Sequence, residues 1–301
     1  HDALRATFSE DGLTLRVPAE TLALDVPLRD ASTDADPQAA LAAIAARHVS
    51  EPFDVAAGPL LRAEIVKLAP EHHVLVLSGH HIVLDGWSFW VLVKDLAATC
   101  RGDAPTTFPS FADYAAAQAQ PDADERSARE SDLGWWAHLF ADGGPVLELP
   151  TDRPRPPVRT QRAGREDHVL PADLLARVRK LGAAHGASLF ATLIAGFGTL
   201  LHRLTGQDDI VVGVPAAGQA AAGLEGLVGH CVHMLPLRLF PQAEQPFATL
   251  VDACRVTVLD AYDHQSVTFG RLLQALPMQR DRSRLPLMPV VFNIDQALSG
   301  E

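Results

Sequence analysis

The stretch Val74-Leu75-Val76-Leu77-Ser78-Gly79-His80-His81-Ile82-Val83-Leu84-Asp85-Gly86-Trp87-Ser88 decides how this chain is read. Its first four residues are an apolar run that predicts a buried strand. Beyond Ser88, Phe89, Leu92, Val93 and Leu96 recur at helical spacing. Two imidazoles, a carboxylate and a glycine therefore fall in the turn between a strand and a helix, where folds commonly present reactive groups. Neighbouring side chains of a strand point to opposite faces, so His80 and His81 cannot both address one site unless the strand is already breaking. One is inward or structural and the other reaches the reaction space; the spacing leaves open which. Asp85 lies near the start of the helix, where a carboxylate is favoured and would also pair well with an arginine. Gly86 predicts a tight turn.

Three other readings compete for the same residues. Two histidines and an aspartate could form a metal-binding facial triad, but adjacent strand histidines diverge and no outlying cluster offers a further ligand. The pair could also be core histidines. A serine or cysteine nucleophile is weaker still, because none has an elbow context such as GxSxG. His72, His73, His185 and His202 read as surface or helix-packing residues. The acidic patch at 122–130 reads as a solvated face, and Gly206-Gln207-Asp208-Asp209 as a turn.

With 301 residues, 48% hydrophobic and 21% charged, the chain can bury a large core, as one domain or two lobes. A formal net charge of −12 argues against nucleic acid and against an anionic membrane surface. No apolar run approaches the ~18 residues of a membrane span, and no signal-peptide pattern is present. Cys100, Cys231 and Cys254 are odd in number and widely spaced, which suggests neither a disulfide framework nor a zinc site. A reducing cytoplasm is the expected location.

Further out, Asp11-Gly12 predicts a hairpin turn, Ala39 to Val49 a helix and Leu61 to Val66 a strand. Gly102 to Phe111 reads as a loop, and 111–140 as mostly helical. Pro150-Thr151-Asp152-Arg153-Pro154-Arg155-Pro156-Pro157 cannot be regular helix. It predicts an extended connector over 146–165, between an N-terminal lobe at 1–145 and a C-terminal lobe at 166–301. In the latter, Pro171 and Ser188 open two helices. Strands are expected at Ile210–Val212, Val232–Leu239 and Leu287–Ile294, with helices near 246–262 and 268–276. Alternating helices and apolar strands place the chain in the α/β class.

The motif His80 to Gly86, HHxxxDG, resembles that of condensation domains from nonribosomal peptide synthetases, and ordered matches elsewhere extend the likeness over essentially all of 1–301. HDALRATF at 1–8 is similar to the family's RHExLRTxF. EPFDVAAGPLLRAEIVKL at 51–68 is similar to the stretch before the active-site motif, and FPSFADYAAAQ at 108–118 to the YxDFAVW region. LELPTDRPRPPVRTQRAG at 147–164 resembles the inter-lobe connector, and LVGHCVHMLPLR at 227–238 the VGxFVNTLPLR pattern. DHQSVTF at 263–269 and RDRSRLPL at 280–287 resemble two later motifs in the right order.

This resemblance implies two chloramphenicol-acetyltransferase-like lobes in a V-shaped pseudo-dimer, with the second lobe incomplete in this chain. It implies attack by a carrier-bound aminoacyl amine on a carrier-bound acyl or peptidyl thioester. Ester formation, epimerisation and non-catalytic docking are the alternatives. His81 is implied as the catalytic histidine, with His80, Asp85 and Gly86 shaping the turn and Arg5 ion-paired to Asp85. No intrinsic cofactor is implied. The substrates ride on the phosphopantetheine of upstream donor and downstream acceptor carrier protein domains, beside adenylation or polyketide synthase modules. His233 and Met234 depart from the family's Asn-Thr. The Asp85-Gly86-Trp87-Ser88 ending resembles domains that accept L-configured or non-peptidyl donors.

Overall fold

In chain order the elements are a 3-10 turn at Asp2–Arg5, β1 (Thr7–Phe8), β2 (Leu15–Arg16), β3 (Leu28–Asp30), α1 (Pro37–Ser50), β4 (Leu61–Ala69), β5 (His72–Gly79), α2 (Gly86–Cys100), α3 (Phe111–Ala119) and α4 (Ala123–Leu139). These are followed by α5 (Ala172–Ala184), α6 (Leu189–Thr205), β6 (Ile210–Ala217), α7 (Gly218–Ala221), β7 (Val232–Leu239), α8 (Phe247–Asp263) and α9 (Phe269–Ala275). The computed structural model describes residues 1–19, 23–103, 107–160, 163–278 and 281–295. Gln161 and Arg162 of the expected connector, and Arg280 of the last motif, lie outside them.

By packing, the chain divides into two compact units, His1–Pro121 with Ala217–Val232, and Asp122–Ala216 with His233–Glu301. The division therefore does not follow the proline-rich stretch expected to separate 1–145 from 166–301. The physical reason is α4. Its Leu133, Trp135, Trp136 and Leu139, with Phe140 beyond it, join the large core built by α6, β6, β7 and α8. Trp136 also donates from Nε1 to the His264 carbonyl (2.7 Å).

In the first unit β3, β4 and β5 form one sheet in that order, β3 parallel and β4–β5 antiparallel. α1 makes the crossover between the parallel strands, and its Ala40, Leu41 and Ile44 pack on Val66, Leu68, Val74 and Val76. Beneath that helix His48 reaches Ser78 (3.0 Å) and Glu64 (3.4 Å), and Arg47 also pairs with Glu64, so the buried polar groups are mutually satisfied. β5 is less buried than its apolar run predicts: Leu75 stays exposed, because alternation turns it to the face opposite the one that α1 covers over Val74 and Val76. The hairpin at Asp11-Gly12 forms as expected, with Thr7 opposite Arg16 and Gly12 at φ +71°.

The second unit holds the paired strands β6 and β7. Ser188 caps α6, accepting from the Ala191 N–H (3.1 Å), and Gly206 in the left-handed region ends that helix. No strand forms at Leu287–Ile294; the segment keeps a single bridge, Val291 to Gly213. Pro286 and Pro289 lack N–H groups, and Leu287 adopts φ +61°, so the ladder cannot run.

Candidate active site

The HHxxxDG turn is built from the inside out. At its start the His80 N–H donates to the Leu60 carbonyl (2.9 Å), and the Val83 N–H closes back onto the His80 carbonyl (3.1 Å). His80 Nδ1 accepts from the Ile82 N–H (3.1 Å), and its ring stands edge-on to Phe53. That acceptor role puts the proton of a neutral His80 on Nε2. Val83 and Leu84 are fully buried beside Ala6, Leu60 and Leu61. The three residues between the histidines and the aspartate thus plug the turn into the core, and the strand has broken where the two histidines diverge. His81 is left exposed.

Asp85 caps α2 and is only 4% exposed. Its Oδ1 accepts from the Ser88 N–H (2.9 Å) and the Ser88 hydroxyl (2.8 Å). Gln219 Nε2 donates to both carboxylate oxygens (3.1 and 2.9 Å), and the Cys231 N–H donates to Oδ2 (3.0 Å). The expected ion pair with Arg5 is not the arrangement found. Arg5 Nη1 donates to the Ala19 carbonyl (3.0 Å), and among the described residues no ion pair joins Arg5 to Asp85. Neutral amide and backbone donors hold the carboxylate instead. Those of Gln219 and Cys231 come from Ala217–Val232, the segment that joins the first unit out of sequence order. Ser88 Oγ extends the clasp, donating to the Gly229 carbonyl (2.9 Å) and accepting from the Gly229 N–H (3.0 Å). Trp87 Nε1 donates to the Glu225 carbonyl (2.8 Å).

Gly86 differs from expectation as well. It is the first residue of α2, its backbone is not left-handed, and a Cβ built on it would meet nothing within 4 Å. The glycine leaves open space beside the turn rather than permitting a strained one.

The residue that sequence reasoning missed is His230. Its Nδ1 lies 3.1 Å from His81 Nδ1, with the rings edge-on at a centroid distance of 5.1 Å. It stands 149 positions away, inside the stretch LVGHCVHMLPLR, and only its place directly after Gly229 could have drawn notice. Cys231 is a buried thiol. Burial, and then the negative charge of Asp85, push its thiol up to about 12. Burial does the same to Cys254. His233 donates from Nδ1 to the Gln265 carbonyl (2.8 Å), within the second unit. Among the described residues no three His, Cys, Asp or Glu side chains gather as a metal site, and no single helix is long and apolar enough to cross a membrane.

The family pattern described as "Condensation domain" matches residues 1–299. The chain belongs to the condensation-domain family of nonribosomal peptide synthetases. It is 33% identical over 299 residues to tyrocidine synthase 3 of Brevibacillus parabrevis, a match covering 99% of this chain and 4% of that protein. It is 35% identical over 308 residues to phosphinothricin tripeptide synthetase PhsC of Streptomyces viridochromogenes, covering 97% of this chain and 28% of that one. The condensation domain therefore spans a small part of these synthetases' lengths. Among solved structures, a mutant starter condensation domain of rhizomide synthetase RzmA, in complex with C8-CoA and Leu-SNAC, superposes with a TM-score of 0.81 at 25% identity, over 97% of this chain and 66% of that one. The X-domain in complex with OxyB from teicoplanin biosynthesis gives 0.81 at 27%, over 97% and 65%. The fold is thus the mixed α/β, chloramphenicol-acetyltransferase-like fold of condensation domains.

Proposed function

We propose that this condensation domain forms an amide bond between two carrier-bound substrates, with His81 as its catalytic residue. The observation that carries the reading is the division of labour within one motif. Asp85 is buried and spends its oxygens on Ser88, Gln219 and Cys231, whereas His81, four residues earlier, sits on a hydrogen-bonded turn and faces solvent. The α-amine of an aminoacyl thioester attacks the carbonyl carbon of an acyl or peptidyl thioester. A proton passes from the amine nitrogen to His81 as the C–N bond forms, and the departing thiolate takes a proton as the C–S bond breaks. A thioester is already activated, so no covalent enzyme intermediate is needed. Holding both ends together supplies several kcal/mol through effective molarity, up to roughly 7–11 in the best cases. Proton transfer by a positioned imidazole adds roughly 10²–10⁴-fold.

On this reading the domain carries no cofactor of its own. Both thioesters ride on phosphopantetheine arms of donor and acceptor carrier domains, supplied by neighbouring adenylation or polyketide synthase modules in the cytoplasm. The test is single-turnover condensation between loaded carriers, comparing wild type with His81→Ala. The variant is expected to lose about 10²–10⁴-fold in rate with carrier binding intact; unchanged turnover overturns the proposal. Supplying a hydroxyl acceptor separates ester from amide formation, and retention of α-deuterium in the product argues against epimerisation.

A second reading has its own support. The X-domain matched above is in complex with OxyB, so a domain of this fold can serve as a docking partner. If this chain acts so, His81→Ala leaves its output unchanged.

A further inference from the structure

We propose that His230 is a positioning residue for His81, accepting a hydrogen bond from His81 Nδ1–H so that Nε2 is left as the basic nitrogen. The inference rests on the reading of His81 as the catalytic base. Its ground is the 3.1 Å contact between the two Nδ1 atoms. A neutral imidazole carries one donor and one acceptor nitrogen, so one of these two Nδ1 atoms holds the shared proton. With Nδ1 of His81 committed to His230, only Nε2 remains for chemistry. If His230 were the donor, a neutral His81 would carry its proton on Nε2 and have no basic nitrogen to offer. The base function therefore requires that His81 donate and His230 accept.

This is the orienting role that a third group plays in base-assisted catalysis generally. When His81 Nε2 takes the proton of the attacking amine, the Nδ1–H···Nδ1 bond becomes charge-assisted and the imidazolium is stabilised. When the leaving thiolate takes that proton from Nε2, the pair returns to its starting state, so no proton is gained or lost over the cycle. His230 is itself fixed by the Asp85 clasp, because its neighbours Gly229 and Cys231 are hydrogen-bonded to Ser88 and Asp85. The other ionisable groups on the elements around the pair are His80 and Asp85 on the turn, Lys94, Asp95 and Cys100 on α2, Asp113 and Tyr114 on α3, and Glu225 and Cys231 on the returning segment.

The experiment measures condensation by the full chain with both carriers loaded, for wild type, His81→Ala, His230→Ala and His230→Asn. Asparagine places its carboxamide oxygen where histidine places Nδ1 and so restores an acceptor. His230→Ala is expected to lower kcat about 10- to 100-fold with KM unchanged and to move the acid limb of the kcat pH profile to lower pH. His230→Asn is expected to recover most of kcat. Nitrogen-15 NMR of the imidazoles should place the neutral His81 proton on Nδ1 in the wild type. Unchanged kcat in His230→Ala, an Asn variant as impaired as Ala, or the proton on Nε2 of His81 each overturns the assignment, and the NMR arm stands even if a variant fails to fold. An active His81→Ala would overturn the catalytic reading itself; an inactive His81→Ala beside an unimpaired His230→Ala overturns this inference alone.

Discussion

Asp85 and His81 lie in one short turn, and the contacts of their side chains assign them opposite duties. Removing the Asp85 carboxylate would leave Gln219 Nε2, the Cys231 N–H and the Ser88 N–H buried without an acceptor, each costing about 1–3 kcal/mol. Asp85→Ala is therefore expected to destabilise the domain by about 3–5 kcal/mol in urea unfolding; a loss below about 1 kcal/mol would contradict the clasp. The orientation of Gln219 follows from the same carboxylate. With Nε2 turned to Asp85, the buried Oε1 finds no donor among the described residues, and the two bonds to a charged group offset that loss. Gly86 predicts the reverse pattern. An added Cβ meets open space at the first position of a helix, so Gly86→Ala should leave stability unchanged or raise it by up to about 1 kcal/mol. A fall in condensation rate in that stable variant would report crowding of the substrate.

At the scale of elements, the segment Ala217–Val232 depends on two close approaches, one within itself and one to α3. A Cβ on Gly218 would lie 2.1 Å from the Cys231 carbonyl oxygen, and one on Gly229 2.1 Å from the Phe111 ring. Neither glycine has a left-handed backbone; both are needed for room. Gly218→Ala and Gly229→Ala are each expected to cost about 1–3 kcal/mol and lower the melting temperature by roughly 2–10 °C. Gly218→Ala is the harsher, because its obstacle is backbone. Gly270→Ala in α9, where the added carbon meets nothing, is the control and should melt no lower than wild type. The N-terminus is tied down at the same scale. Asp2 accepts from the Phe111 and Ala112 N–H groups and the Ser110 hydroxyl, closing the first turn of α3 across more than a hundred residues.

For the molecule as a whole, acid should be the sensitive direction. Burial alone would raise the Asp2 carboxyl pKa, but its backbone and hydroxyl hydrogen bonds outweigh burial and lower it. In the second unit Arg238 bonds Asp142, Asp209 and the Leu139 carbonyl, and its guanidinium, with the Gly144 N–H, lowers Asp142 to about 2. A carboxyl whose folded pKa lies below its unfolded value of 3.8 stabilises the fold above that value and loses the contribution as pH falls towards the folded pKa. The melting temperature should therefore decline from about pH 4 towards pH 2, and Asp142→Asn should flatten that decline. An acid limb as steep as wild type in Asp142→Asn would remove Arg238–Asp142 from the account.

What was legible in the sequence was local. Periodicity marked α1, α2, α5 and α6, because burying one face of an element leaves its imprint at fixed spacing. HHxxxDG with its flanking run marked the turn, and the ordered motifs marked the family. Asp85 was readable as a helix-capping carboxylate, since that role needs only its own helix. Its remaining partners were not, because Gln219 and Cys231 stand far along the chain and reach it only when Ala217–Val232 folds back. The failed strand at Leu287–Ile294 shows the limit of an apolar run, which records burial but not whether a neighbour's hydrogen bonds can be met. The unit boundary lay where α4 packs rather than where prolines cluster, since cohesion comes from buried side chains and not from the connector's stiffness. His230 is the sharpest case. The sequence by itself determined that a histidine stands at that turn; only the tertiary structure decided that a second histidine faces it, because a hydrogen bond depends on distance in space.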